Sequence, residues 1–232
     1  MIAIDAVSQG AASSSSPITW THTCTGSDLV LIVGTIINAG SGSETVTAVT
    51  YNSVSMTQIG SALNDPSNTS NISYWYLLNP ATGPNTVSVT KSSILSCNAL
   101  AISLTGVSAY ESVTVTNTGT TSPMNTTLTN TAYGAWIIDM FGNKAAGANT
   151  STSTGIQGTQ QQASSGSNGL LTCSTFGPIL GASDKTRFSY SATGTSFQLT
   201  HRMASFSPVA TLPVGFKKNG LRPRPFAPGV PR

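Results

Sequence analysis

Seven carboxylates are spread along the 232-residue chain: Asp5, Asp28, Glu44, Asp65, Glu111, Asp139 and Asp184. Glycoside hydrolysis needs two facing carboxyl groups, and no two of these are spaced to share one strand face. The Glu-x-Asp-x-x-Glu run of sandwich glycosidases is absent. His22 and His201 would meet only if their strands were neighbours. A serine nucleophile would also need a strained Gly-x-Ser-x-Gly elbow, which does not occur. Both histidines therefore read as hydrogen-bonded strand residues. Asn64, Asp65 and Asn68, with Asn71 close behind, crowd oxygen ligands into one loop. One formal charge makes only a weak calcium site, and turn formation is the plainer use of Asn and Asp there. Tyr74, Trp75 and Tyr76 could stack on a sugar, although on a strand they alternate faces and at least one set must be core. Cys24, Cys97 and Cys173 are odd in number and widely spaced, which fits buried thiols and no zinc pattern. The expectation is a protein that is not an enzyme and holds no cofactor or metal.

Charge is concentrated at the end of the chain. Lys217, Lys218, Arg222, Arg224 and Arg232 are five of the ten basic residues, and no acid lies among them. The rest of the chain has five basic against seven acidic residues, a formal −2, so the net +3 belongs to this tail. Residues 208–232 hold six of the twelve prolines. Such a segment forms neither a central strand nor a helix and favours an extended, polyproline-like path. At about 3.1 Å per residue it could reach roughly 60 Å. Phe216, Leu221 and Phe226 are apolar anchors spaced between the basic groups. These residues together read as an arm that binds a partner surface, with aromatics filling pockets and arginines pairing with acids. Nucleic-acid contact by the same residues is the weaker reading, because five charges give only a salt-sensitive affinity.

The elements that position these groups follow from hydrophobic patterning. Charged residues are 7% of the chain, far below the usual ~25%, and Ser and Thr dominate. Apolar runs nevertheless recur every 10–15 residues or so, which is not the pattern of disorder. The hub is 28–38. Leu29, Leu31, Val33 and Ile37 point to one face, and Val30, Ile32 and Ile36 to the other, as in a strand covered on both sides. Burying seven such side chains contributes roughly 10–20 kcal/mol gross. Strands are also predicted over 2–9, 17–24, 72–79, 85–91, 97–105, 134–141, 185–192 and 196–207. A hairpin is predicted over 44–60 and a short edge strand over 111–117. Residues 61–71 read as a polar loop, Ala11–Ser16 as a flexible link, and 142–169 as two short strands with loops. No segment has a 3.6-residue period.

The implied architecture is an all-β, antiparallel two-sheet sandwich, jelly-roll-like in order, over 1–208. An extended C-terminal arm covers 209–232, and the first and last strands would be neighbours in one sheet. The N-terminus lacks a basic region followed by an apolar one, so no signal peptide is expected. No apolar run approaches the ~20 residues of a membrane-spanning helix. The Asn-x-Ser/Thr triplets headed by Asn68, Asn71, Asn125 and Asn149 are what so Thr-rich a chain yields by chance.

The motif order ITWTHTCTGSDLVLIVG (18–34), VTAVTYNSVSMTQIG (46–60), SYWYLLNPATGPNTVSVT (73–90), ALAISLTGVSA (99–109) and ASFSP (204–208) resembles a family of β-sandwich modules. These occur in environmental bacterial surface proteins and in tailed-phage virion proteins, and are similar to concanavalin-like and laminin-G-like sandwiches. The resemblance implies the fold more strongly than the function. With the absent signal and a single domain opening at Met1, it implies a virion protein assembled in the host cytoplasm: a capsid decoration (cement) or head-fibre subunit. The partners implied are the major capsid protein or neighbouring subunits, with a homo-oligomer expected and neither membrane nor nucleic acid involved. The alternative is a carbohydrate-binding adhesin or receptor-binding module, using Tyr74, Trp75 and Tyr76.

Overall fold

The computed structural model describes residues 1–38, 44–128, 132–144, 151–153, 159–166, 169–180, 186–192 and 198–210. The first half contains β1 (Ala3–Ser13), β2 (Ile18–Cys24), β3 (Val30–Asn38), β4 (Val46–Tyr51), β5 (Val54–Ser55), β6 (Thr57–Gln58), β7 (Leu63–Asn64), β8 (Ser70–Leu78), β9 (Gly83–Lys91) and β10 (Cys97–Thr105). The second contains β11 (Val107–Gly119), β12 (Met124–Leu128), β13 (Trp136–Asn143), β14 (Ser151–Ser153), β15 (Thr159–Gly166), β16 (Gly169–Phe176), β17 (Thr186–Ala192) and β18 (Leu199–Pro208).

Among the described residues the fold is all-β and pairs antiparallel throughout, as expected of a sandwich, but the sheets number four. Sheet A has the order β1-β10-β3-β8-β6, with β7 also on β8. Sheet B is β2-β9-β4-β5, sheet C is β11-β18-β13-β16-β15, and sheet D is β12-β17-β14. Three apolar cores show how they stack. Leu31, Val33 and Ile37 meet Ile18, Val49 and Val87 between A and B. Ile32, Tyr74 and Ile102 meet Ile138, Leu171 and Phe206 between A and C. Ile137, Phe141 and Met203 meet Met124 and Leu128 between C and D. The layers therefore run B, A, C, D. Both faces of β3 are covered, as its two apolar parities require, and β10, β13 and β18 are buried along nearly their whole length for the same reason.

The two halves share one topology. Sheets A and C have corresponding strands in the same order, and B and D agree over β2-β9-β4 and β12-β17-β14. Each half enters its second strand through a Ser-Pro step, Ser16-Pro17 and Ser122-Pro123. The closing strands align as Ala101-Ile-Ser-Leu-Thr-Gly-Val107 and Met203-Ala-Ser-Phe-Ser-Pro-Val209. Corresponding residues also meet across the central core. A Cβ on Gly34 would lie 2.3 Å from Met140 Sδ, and one on Gly142 would lie 3.1 Å from Ile36 Cδ1. Reciprocal packing of β3 on β16 and β13 on β8 is that of a local two-fold axis between sheets A and C.

Several sequence expectations shift accordingly. The first and last strands are not neighbours: β1 pairs with β10, and β18 with β11 and β13. Each half closes on its own last strand. The Thr/Asn-rich stretch before 134 contains β12, and β16 has no counterpart among the expected strands. β1 runs through the first half of the expected link, to Ser13. The strand over 111–117 is longer than expected, Val107–Gly119, but does form the edge of sheet C.

The β15–β16 turn depends on Gly169, whose φ is +111° and whose added Cβ would lie 2.4 Å from the Asn143 carbonyl oxygen. Gly169→Ala is expected to destabilise the fold by about 1–3 kcal/mol through backbone strain. A urea midpoint that does not move would remove this account of the turn.

Candidate functional site

The structure takes the sequence candidates apart. His22 and His201 face different interiors. His22, on β2, lies between sheets A and B, with its ring edge toward Tyr51. Ser8 Oγ is 2.7 Å from its Nδ1 and Ser103 Oγ 3.0 Å from its Nε2. Ser103 donates to Asp5 Oδ2 at 2.6 Å, and Trp20 Nε1 donates to Ser8 Oγ at 2.9 Å. With Nε2 carrying the proton, the donors run consistently from Ser8 through His22 and Ser103 to Asp5. Burial pulls His22 down to about 4, against the opposing pull of the Asp5 charge, so the ring is neutral at pH 7. Burial raises Asp5, but hydrogen bonds from Ser103 and Thr25 outweigh it and hold the carboxyl below its usual value. The network seals the margin where β1 and β2 meet, and its members hold one another in place.

His201, on β18, lies between sheets C and D. Its Nε2 is 2.8 Å from Asp139 Oδ2, with both side chains fully buried, and the Ser174 amide donates to Asp139 Oδ1 at 2.6 Å. This explains the acid inside an apolar run: it is half of a buried pair. Register puts Val33 and Ala99 at the corresponding first-half positions.

The loop carboxylate is turned inward. Asp65 is buried and accepts the Ser67 and Thr69 amides and the Thr69 and Ser70 hydroxyls. Asn64 spends its amide on Asn68, which holds the turn at φ 55°. Both Asp65 oxygens serve the loop itself, so these residues build a turn and present no cation site. Among the described residues, no three His, Cys, Asp or Glu side chains gather in a metal-binding group.

Tyr74, Trp75 and Tyr76, which could have stacked on a sugar, do not face solvent together. Tyr74 is fully buried and donates its hydroxyl to the Ile138 carbonyl at 3.2 Å. Trp75 is buried between A and B, with its indole nitrogen donating to Ser73 Oγ. Tyr76 is half-buried, with its ring 5.0 Å from Tyr110 and 6.3 Å from Phe206. Strand alternation sends these rings into two cores, because β8 is covered on both faces. The three cysteines are buried and form no disulfide, and burial pushes Cys97 up to about 12.

Several charged side chains among the described residues bond to the body itself. Lys91 donates to the Ser13 and Leu95 carbonyls. Lys144 donates to Asn38 and to the Thr69 carbonyl. The Arg202 guanidinium is buried and donates to the Ile59 carbonyl. Glu111 accepts the Ala132 amide and the Ser205 hydroxyl.

At one pole, β18 releases the chain through Pro208, Val209 and Ala210 beside an open groove of about 540 Å³. Met1, Tyr133 and Leu180 line it and are 86%, 71% and 67% exposed. The arm residues Phe216, Lys217, Lys218, Leu221, Arg222, Arg224, Phe226 and Arg232 lie outside the described residues. Nothing in the sequence pattern marks the groove, because its lining comes from separated segments that only the sheet stacking brings together. No helix among the described residues is long and apolar enough to cross a membrane. Comparison with family models, curated proteins and solved structures returns no match.

Proposed function

We propose that this protein is a structural subunit of a tailed-phage particle, a capsid decoration or head-fibre protein, docked onto its neighbours by the Pro/Arg-rich arm. The observation that carries the reading is where free charge resides. The three basic side chains described in the body, Lys91, Lys144 and Arg202, all donate to oxygens of the body itself, while the five basic residues of 217–232 come without an acid among them. The arm leaves from the end of β18, a strand hydrogen-bonded to neighbours on both sides, so a load on it is passed to the middle of sheet C. The motif order from ITWTHTC to ASFSP supports the virion setting, and a weakly charged body suits close packing in a symmetric assembly.

Two measurements test this. Quantitative mass spectrometry of purified particles is expected to find the protein in a fixed, high ratio to the major shell protein. Deleting residues 217–232 is expected to leave a folded body that no longer joins the particle, with full-length binding weakening as salt rises. Undiminished binding by the shortened chain would sink the docking role. Absence from the particles would sink the virion reading.

A further inference from the structure

Arg202, on β18, is a buried cation without a counter-charge. It points from sheet C toward sheet A, on the same side as Met140 and Ala204, and is 4% exposed. The guanidinium lies under the turn that follows β6. Its Nη1 donates to the Ile59 carbonyl, and an added Cβ on Gly60 would lie 3.3–3.4 Å from Nη1, Cζ and Nη2. Among the described residues no carboxylate pairs with it and no second acceptor bonds it. Burial pulls the guanidinium below its usual value, and the groups that favour its charge are the Tyr110 and Tyr74 hydroxyls. A buried cation is costly unless it is paired and its donors are bonded, and an arginine brings more N–H donors than one carbonyl can meet.

The fold does not require charge at this place. The correspondence of 101–107 with 203–209 puts Leu100 at the equivalent first-half position, paired with Gln9 of β1 as Arg202 is paired with Thr116 of β11. Leu100 is wholly buried in the central core, so an apolar side chain packs there. The surroundings in the second half suit an anion. β11 is the edge of sheet C, and Tyr110, Thr114 and Thr116 share the face of Arg202 along it. Thr114 and Thr116 are exposed and Tyr110 is half-buried. The acid on the same strand, Glu111, is held by the Ala132 amide and by Ser205, which lies on the other face of β18.

We propose that the Nε–Nη2 edge of Arg202 binds an oxyanion, the carboxylate or phosphate group of a small ligand, at the margin between sheets A and C. With Nη1 engaged by Ile59, the N–H groups of Nε and Nη2 remain. They run parallel and match the two oxygens of either group. The hydroxyls of Thr114 and Thr116 add donors along the edge of the same face. The small opening admits the tip of a ligand and no broad surface.

The test is made on the full chain, isotopically labelled at arginine nitrogen and titrated with inorganic phosphate or with acetate at constant ionic strength. The Arg202 Nε–H resonance, assigned by its loss in Arg202→Leu, is expected to shift and saturate, while those of Arg222 and Arg224 drift without saturation. An Arg202 resonance that stays in place, or drifts as the others do, with both anions would overturn the site. Saturation at lower phosphate than acetate names a phosphate group as the ligand, and the opposite order names a carboxylate. Melting gives a second readout. At a hundredfold excess over its dissociation constant, the anion is expected to raise the melting temperature by about 5–10 °C over chloride at equal ionic strength. Arg202→Leu should show no such rise, and an equal rise in it would place the anion elsewhere. Arg202→Lys keeps the charge but loses the paired donors, and is expected to bind about tenfold more weakly or worse. If Arg202→Leu does not fold, Arg202→Lys supplies the assignment and the parent titration still decides.

Discussion

Asp139→Ala should lower the stability of the fold by at least about 1–3 kcal/mol, the cost of leaving buried hydrogen-bonding groups without their partner. His201 would keep its fully buried place 2.8 Å from where the carboxylate stood, and the Ser174 amide would lose an acceptor at 2.6 Å. The first half shows that this position does not demand charge, because the residues at the register-equivalent sites are Val33 and Ala99. A double replacement, Asp139→Val with His201→Leu, is therefore expected to recover at least half of the loss. Any remaining deficit reports the acceptor that the Ser174 amide loses with the carboxylate. Urea unfolding of the parent, both singles and the double closes the cycle. Additive losses would show that the two side chains are not coupled and that the pair is incidental to this core.

The second large effect is in pH. His22 is drawn from 6.5 to about 4 by burial, so the folded state holds the ring neutral while the unfolded chain takes up a proton below 6.5. Above pH 6.5 both states are neutral and the group contributes no pH dependence. As pH falls from 6.5 to about 4, the unfolded state binds more protons and stability declines, by about 3 kcal/mol in total. Below 4 this contribution levels off. Burial raises Asp5, but Ser103 and Thr25 together hold it below its usual value. It therefore adds a further loss once the pH drops low enough to protonate the unfolded carboxyl. His22→Gln removes the titration while keeping groups that can bond Ser8 and Ser103. Its stability between pH 7 and 4.5 should fall by distinctly less than that of the parent. Parallel curves for the two proteins would show that the ring does not titrate as its burial requires.

Much of the local structure was legible because a strand writes its two faces directly into alternate residues. The hub at 28–38 has apolar residues on both parities, and β3 is buried on both faces for that reason. The same logic located β8, β9, β10, β13 and β18. It failed at β12, whose Met124 and Leu128 flank three polar residues, and at β16, where Leu170 and Leu171 are adjacent and break the alternation. Those strands are held by their neighbours: β16 lies between β13 and β15, and its polar Thr172 and Ser174 are buried because sheet D covers them. The duplication was visible only as one short correspondence between 101–107 and 203–209. The large side chains elsewhere are redistributed, with Trp75 answering to Ser174 and Ala101 to Met203, so the two halves fill the same volume from different strands.

By itself, then, the sequence determined that the chain is all-β, which residues alternate toward an interior, and that five of its ten basic residues gather, with no acid among them, in 217–232. A period of two decides which face a side chain takes, and composition decides where charge can lie. Neither says which strand lies beside which, since every antiparallel edge offers the same backbone donors and acceptors. Only the tertiary structure decided that the strands form four sheets in two like halves. Sheets A and C approach closely where Gly34 and Gly142 leave room for Met140 and Ile36, and that contact creates a central core with a local two-fold axis. The same stacking buries Tyr74 and Trp75, separates His22 from His201, pairs His201 with Asp139, and brings Met1, Tyr133 and Leu180 together where the arm begins.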